Sequence, residues 1–177
     1  MKRVVVTGIG TINSTGHNVK DSFEAVVNGV CGIDTITLFD ASEFSVKIAG
    51  EVKDFDPTTV MDKKEVKKAD RFIQLGIKAA HEAMIDSGYV TADNKKVDGS
   101  IADRFGMISG SGIGGLSTIE RNSVVCETKG SRNVSPFFIP SSLANMLSGF
   151  ISIEHNLRGP SLSHVTACAA STPALND

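Results

Sequence analysis

The chain has 177 residues, enough for one domain with a real core, and its 41% hydrophobic and 21% charged residues are ordinary for a soluble globular protein. A formal net charge of −2 gives no electrostatic ground for nucleic-acid binding, and no uninterrupted apolar run nears the ~18 residues of a membrane span. The opening MKRVVVTGIG is basic and then apolar, but Thr7 and Gly8 break the run before a signal-peptide core forms, so a cytoplasmic protein is expected.

In chain order, residues 4–6 are a β-branched run that predicts a buried strand running into a loop. Phe23, Val26, Val27 and Val30 recur at helical spacing over residues 19–30, and Gly29 and Gly32 close that helix. Weak strand character follows around residues 46–52. A longer helix is expected over residues 65–87, with Phe72, Ile73, Gly76, Ile77, Ala80, Ala83 and Met84 as one apolar stripe and Gly88 as its stop. Residues 90–104 are polar and turn-like. Residues 105–109 read as a strand that empties into GSGIGG (residues 110–115), with a helix over 116–129 behind it. The two prolines of SPFFIP (135–140) argue against regular structure there. Residues 142–155 are apolar and helical, RGPS (158–161) turns, and a strand over 161–165 leads to Thr166, Ala167 and Cys168, where a helix is expected to begin. Strands alternating with helices predict an α/β fold with a largely parallel sheet.

The three cysteines, Cys31, Cys126 and Cys168, are too few and too scattered for a disulfide framework, and without a CxxC pair no metal site is expected. Cys31 and Cys126 read as small buried hydrophobes. GSGIGG fits G-x-G-x-x-G between a strand and a helix. A dinucleotide site also needs an acidic residue about 20 positions on, and residues 128–153 hold no Asp or Glu. A nucleotide-binding oxidoreductase is therefore disfavoured, and close packing of backbone against a neighbouring element explains the glycines better. The run KKEVKK (63–68) is either a solvated helix start or a docking patch for an acidic partner. Among the histidines, His81 falls on the polar edge of its helix, and His17 and His155 lie near element ends. His164 is nearest to Cys168, yet four strand residues span about 13 Å, so it is not expected to activate the thiol.

A cysteine at a strand-to-helix turn presents its sulfur outward and toward the positive helix end, which favours a thiolate. Its small neighbours Ala167, Ala169, Ala170 and Ser171 let a substrate approach, and turn N–H groups can stabilise an oxyanion. Two readings stand on this chemistry alone: a nucleophile that accepts an acyl group from a thioester, or a buried, inert thiol.

RVVVTGIG (3–10), GSGIGG (110–115), SPFFIPS (135–141), NLRGPS (156–161) and TACA (166–169) occur in the order found in the β-ketoacyl-acyl carrier protein synthases. Over nearly its whole length the chain resembles the N-terminal part of that family, most closely the synthase II type of bacterial fatty acid synthesis. The resemblance implies an α/β thiolase-like fold, N-terminal half only, over residues 1–177, of an αβαβα molecule that pairs as a homodimer. It implies that Cys168 is acylated and that its backbone N–H is one oxyanion donor. Ile113 and Phe138 match positions lining or capping the acyl tunnel, and Lys63, Lys64, Lys67 and Lys68 match the patch that meets acyl carrier protein. The implied reaction needs no redox or nucleotide cofactor. An acyl group moves to the thiol, malonyl-carrier protein loses CO₂, and the carbanion attacks the thioester to give a 3-oxoacyl product two carbons longer.

In the family, two histidines that promote decarboxylation, a lysine and a gating phenylalanine come from the C-terminal part, so the 177 residues read as a truncated synthase, inactive in condensation by itself and prone to self-association. Pro173 stands where the family often has histidine. In a helix beginning at Cys168 it costs ~3 kcal/mol. A non-catalytic dimerising or scaffold subunit resembling a chain-length factor is the alternative, opposed by the retained cysteine.

Overall fold

The computed structural model describes residues 3–177. Seven helices and four short strands follow one another as α1 (Val19–Val27), β1 (Asp34–Thr35), β2 (Ile48–Ala49), α2 (Lys63–Val66), α3 (Arg71–Asp86), β3 (Met107–Gly110), α4 (Leu116–Lys129), α5 (Phe138–Ser142), α6 (Met146–His155), β4 (Ser161–His164) and α7 (Ser171–Asn176) among the described residues. Single 3₁₀ turns sit at Pro57–Thr59, Ala102–Arg104, Ser131–Asn133 and Ala167–Ala169. The expected α/β class is observed. The chain divides into two units, Met1–Asp56 with Lys78–Gly88, and Pro57–Ile77 with Tyr89–Asp177. Helix α3 contributes residues to both.

In the first unit, Asn18 starts α1 by accepting the N–H of Asp21 at 2.8 Å, as an N-cap should. Gly29, at φ +68°, follows its end. The predicted stripe is present but faces outward: Phe23, Val26 and Val27 are about two-thirds exposed. Residues 4–6 form no strand, and Val4 is 93% exposed. A strand exists only where a neighbour supplies complementary N–H and C=O groups. Here the N–H groups just beyond the run go to α3 carboxylates, Ile9 to Asp86 Oδ2 at 3.0 Å and Thr11 to Glu82 Oε2 at 3.1 Å. Glu82 Oε1 also accepts the N–H of Val19 at 2.8 Å. Cys31 is exposed, against expectation, and His81 is buried rather than on a polar edge. Strands β1 and β2 pair antiparallel, Asp34 with Ala49 and Thr35 with Ile48. Beside them Glu51, also buried, accepts the N–H and hydroxyl of Thr37 and the N–H of Leu38.

The second unit holds the parallel pair that the alternation of elements predicts: β3 and β4 run from Met107 opposite Ser161 to Gly110 opposite His164. Ile73, Ile77, Val90, Val97, Ala102 and Ile151 are buried in it. The helix expected over 65–87 is two helices, because the chain breaks after α2 and restarts at Arg71, and Gly88 at φ +77° ends the second. Pro140 lies inside α5, contrary to the expectation for SPFFIP. It is the third residue of that helix, where no intrahelical N–H bond is required. The segment expected as one helix over 142–155 becomes helical only from Met146, since Leu143 is extended, and Asn156 at φ +58° terminates it.

Candidate active site

Cys168 is exposed, in the 3₁₀ turn Ala167–Ala169 between β4 and α7. The helix expected at the cysteine starts three residues later, at Ser171. Pro173 is the reason: as third residue of α7 it falls in the first turn, where its missing N–H leaves no intrahelical bond unmade. The turn is closed by Ala169 N–H to Thr166 O and Ala170 N–H to Ala167 O, both 3.1 Å, and neither bond uses the N–H of Cys168. Ala167 is at φ +50°, a left-handed conformation uncommon for a residue with a side chain.

The glycine loop packs against this turn. A Cβ on Gly110 would overlap the carbonyl of Ala170, and one on Gly112 would touch Ala167. Ser111 N–H reaches the carbonyl of His164 at 3.1 Å. At its far end the loop meets the end of SPFFIPS and the residues after it: a Cβ on Gly115 would overlap the carbonyl of Ser141, Gly115 N–H donates to Ser142 O at 2.9 Å, and Gly114, at φ +87°, lies against Ser142 and Ala144. The loop therefore bridges two of the motifs read from the sequence, as close backbone packing predicts. Ile113 at its tip is 65% exposed, and Phe138 on α5 is half-buried.

The first turn of α4, where a dinucleotide phosphate would sit, is already served by a protein carboxylate. Buried Asp70 accepts the N–H of Thr118 at 2.9 Å and its hydroxyl at 2.6 Å. An anion in place there satisfies the helix end and opposes a second negative charge.

The lysine run is split. Lys63, Lys64 and Lys67 are exposed on and after α2, which Asp62 caps through Lys64 N–H at 2.7 Å. Lys68 instead folds back, its Nζ 2.6 Å from Glu65 Oε1 and 5.5 Å from the ring centre of Phe137. Ser141 donates its hydroxyl to the carbonyl of Lys68, tying this segment to α5. Cys126 on α4 is exposed, not buried. His155 is fully buried, its Nδ1 2.7 Å from the carbonyl of Lys95. Neither Asp70 nor the His164–Asp177 contact described below could be found by spacing, since each joins residues from separate elements.

Comparison with known proteins bears on what this arrangement belongs to. The model of the β-ketoacyl synthase N-terminal domain matches residues 1–177. The chain belongs to the β-ketoacyl synthase family. It is 47% identical over 168 residues to a 3-oxoacyl-[acyl-carrier-protein] synthase 2 of Vibrio harveyi, covering 94% of this chain and 39% of that protein. It is 44% identical over 167 residues to the synthase of the same name from Coxiella burnetii, at the same coverages, 94% and 39%. The Staphylococcus aureus N315 synthase is 43% identical over 176 residues, with 99% of this chain and 41% of that protein covered. The chain thus spans 39 to 41% of the length of these relatives.

Among solved structures, a β-ketoacyl synthase from Burkholderia phymatum superposes with a TM-score of 0.81 at 22% identity, over 99% of this chain and 42% of that one. A ketosynthase complex with a type II PKS acyl-carrier protein gives 0.77 at 25% identity, over 99% and 45%. The fold is therefore the thiolase-like one that the sequence motifs imply.

Proposed function

We propose that this chain carries the acyl-accepting part of a 3-oxoacyl-[acyl-carrier-protein] synthase II of fatty acid biosynthesis, working in the cytoplasm. One observation carries the reading: Cys168 is exposed on a tight turn against which a glycine loop packs closely. Its thiolate attacks the carbonyl of an acyl thioester, the carbon–sulfur bond to the carrier breaks, and the carrier thiol leaves with a proton. The N–H of Cys168, unused by the turn, is suited to the oxyanion that forms on the way. Malonyl-carrier protein then loses CO₂, and the carbanion attacks the acyl-cysteine, releasing the thiolate and a 3-oxoacyl product. That second half-reaction is assigned to the additional length the relatives have, so the 177 residues alone do not condense. No redox or nucleotide cofactor enters either step.

Ile113 and Phe138 would line the acyl channel, since both are apolar and not fully buried. Lys63, Lys64 and Lys67 would meet the acidic acyl carrier protein, with Lys68 held back by Glu65. The outward-facing apolar residues of α1 support assembly as a homodimer or larger. The same exposure also suits a non-catalytic dimerising subunit of the chain-length-factor kind, which the thiol at 168 opposes.

Incubation with an acyl-pantetheine thioester, followed by peptide mass analysis, tests the reading. The acyl mass is expected on the Cys168 peptide alone, and on none in Cys168→Ala. Equal labelling of Cys31, Cys126 and Cys168, which are all exposed, would show unselective thiol chemistry and sink it.

A further inference from the structure

We infer that His164 and Asp177 form a positioning clasp that keeps the Cys168 turn in shape. The inference rests on reading Cys168 as the acyl-accepting thiol. His164 is the last residue of β4, held opposite Gly110, and its carbonyl takes the N–H of Ser111. Its Nε2, shielded from solvent, stands 2.9 Å from Asp177 Oδ2. Asp177 immediately follows α7, and its N–H closes on the carbonyl of Pro173 at 3.2 Å. Its other carboxylate oxygen receives Asn176 Nδ2 at 3.4 Å.

The contact makes residues 164–177 a closed loop that contains the thiol, four residues after His164. Helix α7, Ser171–Asn176, lies within that loop. At its start it is held by the close approach of Gly110 to Ala170. At its far end it meets the imidazole of His164 through Asp177. Between these points Ala167 keeps its left-handed backbone, a conformation that lasts only where the surroundings over-determine it.

The charged groups on the other elements beside β4 are engaged elsewhere. Strand β3 carries none, and on α6 Glu154 faces Lys95 Nζ at 3.5 Å while His155 Nδ1 meets the Lys95 carbonyl. Asp177 is thus the acid that answers His164. These are positioning residues: they act on the thiol through the backbone, without touching the acyl group.

The test is hydrogen exchange by mass spectrometry on the protein, its His164→Gln and Asp177→Asn variants, and the exchanged pair His164→Asp with Asp177→His. Exchange in residues 165–176 is expected to rise about tenfold in each single variant, to leave the α4 peptide unchanged, and to return toward the original rate in the exchanged pair. Acylation of Cys168 by the pantetheine thioester should fall and recover in parallel. Single variants that exchange like the parent, or a rise that the exchanged pair fails to reverse, overturn the clasp. If exchange behaves as expected while the parent Cys168 takes no acyl group, the clasp stands and the acyl-accepting role falls.

Discussion

Asp70 and Thr118, 48 positions apart in the chain, are joined twice: the Asp70 carboxylate accepts both the backbone N–H and the hydroxyl of Thr118. A residue outside α4 thereby performs the service that a local N-cap normally gives, and Gly115, the residue at the cap position, has no side chain to offer.

Asp70→Ala is therefore expected to lower stability by about 2 kcal/mol, the cost of a lost cap plus two buried donors left without an acceptor. Asp70→Asn, which keeps one acceptor oxygen, should lose less. Urea unfolding of the three proteins checks the order. A nicotinamide cofactor titrated into the parent should show no binding, since the helix end already holds an anion.

Pro173→Ala should change stability by less than about 1 kcal/mol, because the proline occupies the first turn of α7, where a backbone N–H has no intrahelical duty. A gain near 3 kcal/mol in the same unfolding measurement would mean that the helix starts at Cys168 after all.

Burial pushes the His155 imidazole below its usual range, while its bond to the Lys95 carbonyl and the charge of Glu154 act the other way. A histidine with a depressed folded-state pKa binds its proton more readily when unfolded. Its contribution is whole above the ordinary value of 6.5 and is lost as pH falls from there through the folded value. Stability should thus decline as pH is lowered through this window, and His155→Gln should flatten the decline. Urea midpoints at several pH values in both proteins read the difference.

Charge reversal at Lys63, Lys64 and Lys67 together should weaken association with an acidic carrier protein by about tenfold or more at low salt, with most of the loss in the association rate. Lys68→Ala should matter less than about threefold, because that ammonium is paired with Glu65 and rests over Phe137. Surface plasmon resonance at two salt concentrations separates the cases, and equal losses would show that Lys68 is free to dock.

The sequence made some of this legible and hid the rest for identifiable reasons. The α4 boundaries, the parallel β3–β4 pair and the stop at Gly88 were readable because periodicity and glycine punctuation are local properties. The stretch at 4–6 misled, since β-branched residues state only a preference for a strand, and the partner that would realise it is not in the local pattern. Proline misleads in SPFFIP and after Cys168: its effect depends on where the helix begins, and both helices place it in their first turn. The cysteine turn itself was legible from Ser161 onward. What braces it was not, because Asp70, His164 and Asp177 find their partners only after folding.

Ala167 is the residue whose left-handed backbone precedes Cys168, and glycine would adopt that geometry with less strain. A glycine would also widen the arc through which the thiol can swing, so that fewer encounters with a thioester would find it aligned. If Cys168 accepts the acyl group as proposed, the methyl group at 167 exchanges some folding stability for aim, and a sturdier version of this protein made by relaxing that position would be a poorer acceptor.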